Sequence, residues 1–124
     1  YWGGCCGEEE TARTIGKYYR EKGYLIDTHT AVAAAVMEQY RAETGDETVT
    51  VFVSTASPYK FCASVLPAIG VEPKGDGVEL LDQLREVSGV KIPERLAALR
   101  GKARRFDLTA EREAMDSVVL DFLR

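Results

Sequence analysis

The chain has 124 residues, with 16 Lys+Arg against 20 Asp+Glu and a formal net charge of −4. At 45% hydrophobic and 29% charged residues it has the composition of one ordinary globular domain, which excludes a disordered or collagen-like chain. The acidic balance excludes the basic footprint of a nucleic-acid binder, and the apolar run 31–37 falls far short of the roughly 20 residues that span a bilayer.

Gly7 followed by Glu8, Glu9 and Glu10 places three carboxylates where a helix N-terminus carries partial positive charge. The helix they open should run with Ala12, Ile15 and Tyr19 on one face and stop at Gly23, a residue suited to a C-terminal cap. Tyr24, Leu25 and Ile26 form a short extended link. Asp27 then reads as the N-cap of a second helix, its carboxylate accepting from free amides two and three residues on. Residues 31–37 of that helix are apolar all round, which predicts burial on most sides. Gly45 and Asp46 end it.

Residues 48–54, Thr-Val-Thr-Val-Phe-Val-Ser, predict the one strand, with Val49, Val51 and Val53 on one face and Phe52 on the other. Apolar residues on both faces place such a strand centrally in a sheet covered by helices. Ser57-Pro58 is an N-cap with proline at the first helical position, and Phe61, Cys62, Val65, Leu66 and Ile69 make the buried stripe of the helix that follows. Pro67 should end it early. A loop rich in Gly and Pro follows, then helices over about 78–87, 93–100 and 109–123, the last carrying Met115, Val118, Val119 and Phe122 on one side. The basic run 102–105 reads as a solvated loop. A single central strand cannot form a sheet by itself, so the pattern predicts pairing with a second copy or membership in a larger α/β domain.

Three stretches could carry chemistry. Ser54 and Thr55 stand at the carboxyl end of the predicted strand, where open α/β sheets bind ligands. Ser57 begins a helix whose free amides could face an anion. The plainer alternative is that these hydroxyls end a strand and cap a helix. His29, the one histidine, is either a general acid or base or a first-turn residue bonded to nearby backbone. Cys5 and Cys6 cannot easily share one tetrahedral zinc and no second ligand pair follows, so no metal site is expected, and both cysteines should pack where the first helix begins. An odd count of three cysteines suits a reducing compartment, which makes the expected location cytoplasmic.

Two of these stretches, Gly23-Tyr24-Leu25-Ile26-Asp27-Thr28-His29-Thr30-Ala31-Val32 and Ser54-Thr55-Ala56-Ser57-Pro58-Tyr59-Lys60-Phe61, carry a resemblance. In order, spacing and context they resemble the C-terminal part of the threonine synthases, pyridoxal-phosphate enzymes of the tryptophan-synthase-β-like (type II) fold. Weaker similarity continues through Ile92-Pro93-Glu94-Arg95-Leu96 to the last helix. The chain departs from the family pattern at Thr28, where proline is common, and at Ser57, where some members have histidine.

The resemblance implies an α/β enzyme of which this chain is a mainly helical piece, with one central-type strand and five or six helices. Residues 1–73 would belong to the cofactor-binding α/β domain and 74–124 to its helical extension. The implied reaction converts O-phospho-L-homoserine and water to L-threonine and phosphate. Thr55 matches the hydroxyl at the pyridine nitrogen of the cofactor, with Ser54 and Ser57 beside it and Asp27 and His29 on the active-site rim. No catalytic residue is implied in this segment, because the Schiff-base lysine and the phosphate-cradling loop belong to upstream sequence; Lys60 is not that lysine. Together with a start at Tyr1 rather than Met, this predicts a C-terminal fragment that is inactive alone and binds pyridoxal phosphate weakly or not at all. Its expected partner is the missing N-terminal part of the same polypeptide, with neither nucleic acid nor membrane, and with self-association through the exposed strand edge as a further expectation. Two alternatives stand beside it: a self-contained helical interaction module, and a piece of another type II enzyme such as a serine or threonine dehydratase, against which the 54–61 motif weighs.

Overall fold

The structure, a computed structural model, describes residues 1–103 and 105–123. Six α-helices succeed one another: α1 (Glu8–Lys22), α2 (Thr28–Thr44), α3 (Cys62–Ala68), α4 (Gly77–Ser88), α5 (Glu94–Ala97) and α6 (Met115–Phe122). Short 3₁₀ turns at Pro58–Phe61 and Arg112–Ala114 lead into α3 and α6.

The helix boundaries follow the local chemistry. Glu8, Glu9 and Glu10 fill the first turn of α1, and Gly23 closes it at φ 64°, its N–H reaching the carbonyls of Tyr18 and Tyr19. The buried face of α1 is Thr11, Thr14, Ile15 and Gly16, rotated from the predicted stripe so that Ala12 and Tyr19 are only half-buried. Two threonines can face inward because each hydroxyl donates to a carbonyl four residues back, Thr11 to Gly7 and Thr14 to Glu10, both at 2.8 Å. Gly16 lets α1 press onto the end of α3, since a Cβ there would stand 2.4 Å from the Ala68 carbonyl oxygen.

The second helix lies against the first through Thr30, Ala31, Ala34 and Ala35, and Lys17 clamps Glu38 across the pair at 2.8 Å. Burial of its apolar run is one-sided: Val32 and Ala33 are exposed, contrary to the expectation of a helix covered on most sides. The third helix is short, and Pro67 sits in its last turn, where its missing amide forfeits one helical hydrogen bond and the helix ends one residue later. Its inward residues Cys62, Val65 and Leu66 meet Ile15, Leu25 and Ile26 on one side and Leu80, Leu81 and Leu84 of α4 on the other. Ile92 completes this core. Tyr59 and Tyr19 fasten the end of α4 by donating their phenol hydrogens to the carbonyls of Val90 and Val87.

The expected fold class fails. The chain is not α/β: among the described residues there is no strand and no sheet, and 48–54 forms no ladder. The alternation survives in part: Phe52 is half-buried along α2, while Val49, Val51 and Val53 are 89%, 82% and 84% exposed. Ladder hydrogen bonds require a neighbouring backbone, and none of the described residues supplies one. The helical count agrees with the sequence reading, but α5 and α6 are shorter than predicted and bury no residue. Of the basic run 102–105, Arg104 lies outside the described residues, and Lys102, Ala103 and Arg105 are exposed. Among the described residues no helix is long and apolar enough to cross a membrane.

Candidate functional site

The site is built outward from Asp27. Extended backbone (φ −80°, ψ 169°) brings it to the head of α2, where its side chain is 1% exposed. A carboxylate taken out of water is costly unless its lone pairs are occupied, and here four donors occupy them. Oδ1 accepts from the amides of His29 at 2.9 Å and Thr30 at 3.3 Å. Oδ2 accepts from the hydroxyls of Thr30 at 2.5 Å and Ser54 at 3.1 Å. Burial pushes the Asp27 carboxyl upward, but the hydroxyl and amide of Thr30, the amide of His29 and the hydroxyl of Ser54 together hold it below the ordinary carboxylate value. It is therefore charged at neutral pH.

Ser54 and Thr30 also meet each other, Oγ to Oγ1 at 2.9 Å, closing a triangle of Asp27, Thr30 and Ser54. This triangle joins the two stretches singled out from the sequence, which stand 27 residues apart. Thr30 was not among the expected site residues, although its place three positions after an N-cap acid was a signal for it. Ser54, Thr30, Ile26, Tyr24 and Phe52 line a groove of about 340 Å³ beside the triangle.

Thr55 behaves differently from its neighbour. It is exposed, and no described residue hydrogen-bonds its hydroxyl. Ser57 is half-buried and caps the turn after it, accepting from the Tyr59 amide at 3.3 Å. Lys60 is exposed.

His29 lies on the other side of Asp27. Its Nδ1 is 3.4 Å from Asp27 Oδ1, and its ring sits 5.0 Å from that of Phe61, tilted by 50°. Its side chain is 67% exposed and looks into a separate recess of about 320 Å³ with Cys6, Glu8, Thr28 and Ser64. Cys6 is half-buried there and approaches Thr11 Oγ1 at 3.4 Å, whereas Cys5 is exposed and does not pack as expected. The two oxygens of Asp27 thus face two surfaces, Oδ1 the histidine and Oδ2 the hydroxyl pair.

The family described as "Threonine synthase, C-terminal" matches residues 30–119. Threonine synthase-like 1 of Macaca fascicularis is 34% identical over 68 residues, which cover 54% of this chain and 9% of that protein. Its human counterpart is 32% identical over 68 residues, again 54% of this chain and 9% of that protein. Threonine synthase of Saccharomyces cerevisiae is 38% identical over 66 residues, 49% of this chain and 13% of that protein. The matched stretches span only 9–13% of the length of these curated relatives. The chain belongs to the threonine synthase C-terminal family.

Proposed function

We propose that this chain forms one wall of the cofactor site in a threonine synthase that converts O-phospho-L-homoserine and water to L-threonine and phosphate. The observation that carries the reading is the Thr55 hydroxyl, exposed and without a hydrogen-bond partner among the described residues, next to a Ser54 hydroxyl that is engaged by Asp27 and Thr30. When bound, pyridoxal 5'-phosphate supplies an electron sink for charge developing on the substrate.

The donor set fits such a group at its pyridine nitrogen. A neutral hydroxyl can donate to an unprotonated ring nitrogen, whereas a carboxylate in the same place would favour the protonated ring. Asp27, the carboxylate of this neighbourhood, is turned inward and its lone pairs are taken by four donors. Thr55 accordingly meets the ring as a hydroxyl, and Asp27 does not compete with it. His29 and Asp27 border this wall. Lys60 has no covalent role in the reading; the lysine that holds the cofactor, the substrate phosphate site and the rest of the enzyme lie in the remainder of the polypeptide, which is the chain's principal partner.

Two assays on two proteins test the reading. In the complete enzyme, Thr55→Val is expected to lower phosphate release from O-phosphohomoserine by about tenfold, the scale of one lost hydrogen bond in a water-poor site. The 124-residue chain by itself is expected to release no phosphate and to retain no cofactor through dialysis. Undiminished phosphate release by Thr55→Val, or a borohydride-stable cofactor mass on Lys60 of the chain alone, overturns it.

A further inference from the structure

We propose that Asp27 is a positioning residue for the cofactor: by holding the Ser54 hydroxyl, its buried carboxylate sets where the next residue, Thr55, presents its own. The inference rests on Thr55 meeting the pyridine nitrogen, as read above, and adds the device that aims it.

Asp27 is a fixed point. It is 1% exposed, caps α2 through two amides, and α2 is itself locked onto α1. The segment that bears Thr55 is far less constrained. Residues 46–55 carry neither helical nor ladder hydrogen bonds. Its upstream end is tied at Thr48 by Asp46 and Arg41, with a weaker tie from Arg41 to Thr50 at 3.3 Å. Its downstream end is tied where Ser57 caps the next turn. Between Thr50 and Ser57, the side-chain anchor to the helical body is Ser54, reaching Asp27 Oδ2 at 3.1 Å and Thr30 Oγ1 at 2.9 Å.

The direction of Thr55 follows from that anchor. Successive side chains of an extended segment point to opposite sides. Thr50, Val51, Phe52 and Ser54 line the groove against the helices, whereas Val53, at 84% exposure, and Thr55 do not. Ser54 is itself an exposed residue, but its hydroxyl is turned to Asp27 and Thr30, and holding it there keeps the Thr55 side chain on the opposite side, away from them. The anchor is also stiff, because releasing Ser54 would leave a buried carboxylate one donor short. A carboxylate suits the task better than a neutral acceptor, since Oδ2 serves two hydroxyls while Oδ1 still caps the helix.

The test is a cycle of cofactor affinities in the complete enzyme, measured by fluorescence titration with pyridoxal 5'-phosphate. Ser54→Ala is the principal variant, because it cuts the anchor and leaves both cap bonds of Asp27 in place; Asp27→Asn is its companion. In the presence of Thr55, Ser54→Ala is expected to weaken affinity about 3- to 10-fold. In a Thr55→Val background the same change is expected to cost less than about twofold, since no hydroxyl remains to be aimed. A merely structural role would weaken binding equally in both backgrounds, and that result overturns the proposal. So does a Ser54→Ala enzyme with unaltered affinity when Thr55→Val alone weakens it. If Thr55→Val itself leaves affinity unchanged, the reading of Thr55 as ring partner fails, and the proposal fails with it.

Discussion

Asp27 does two jobs with one carboxylate: Oδ1 finishes a helix and Oδ2 anchors a loop. Replacing it with alanine removes an N-cap, which costs about 1 kcal/mol, and deprives the Thr30 and Ser54 hydroxyls of their shared acceptor. The expected loss for Asp27→Ala is about 2 kcal/mol, read from urea unfolding of the 124-residue chain at pH 7. The effect also has a predictable pH dependence. Because the folded carboxyl is held below its unfolded value, its contribution is fully present above the unfolded pKa of about 4 and is lost as pH falls toward the folded one. The stability gap between wild type and Asp27→Ala should thus stay constant from pH 7 to about 5 and shrink at lower pH. A gap that widened on acidification would mean that Asp27 is held neutral, and the four-donor account would be wrong. None of this was legible at a distance of 27 residues. Spacing identified Asp27 as a cap, and nothing in the spacing could bring Ser54 to it, because that contact depends on how the whole 45–57 segment lies across α2.

At the scale of elements, the most exacting contact is between α1 and the end of α3. Gly16 has no special backbone angle to justify it; its role is space, since a Cβ would come within 2.4 Å of the Ala68 carbonyl oxygen. In an open helix Gly16→Ala would be favourable by up to about 1 kcal/mol. Here the obstacle is backbone rather than a flexible side chain, so the helices must separate, and overpacking of this kind costs about 1–3 kcal/mol. A net loss of stability is expected, visible as a lower urea midpoint with unchanged slope. A gain would show that α1 and α3 are less tightly apposed than described. Helices of this chain were readable because their signals are local: Gly23 adopts φ above zero, Asp27 and Ser57 accept from amides two or three residues on, and α3 ends one residue after Pro67. The 48–54 strand misled because β-branched alternation reports which side chains share a face and leaves the hydrogen-bond partner unspecified. In the fold the faces are present and the partner is not among the described residues.

For the whole molecule, the core and the exposed apolar surface are separate. The core runs through Ile15, Leu25, Ile26, Val65, Leu66, Leu80, Leu84 and Ile92, where α1, α3 and α4 meet. Val49, Val51 and Val53 lie outside it with more than four-fifths of their surface in water, and Met115, Val119 and Phe122 of α6 are also exposed. An exposed apolar run of this kind is normally covered by another surface; in the proposed enzyme that surface is the remainder of the polypeptide, and for the 124-residue chain alone we propose a second copy. Lysine at positions 49, 51 and 53 separates the two roles these valines could have. If they only await a covering surface, Val49→Lys, Val51→Lys and Val53→Lys together should leave the helical circular dichroism unchanged. Urea stability should shift by no more than about 0.5 kcal/mol for each change, the ordinary range for surface positions. Binding of a hydrophobic dye should fall, and sedimentation should move toward the monomer, because like charges spaced along the run oppose pairing. The same three changes in the complete enzyme should abolish its folding, since there the lysines would have to be buried without partners. Loss of helicity in the 124-residue chain would instead make the valines part of its own core, and the separation of core from docking surface would not hold.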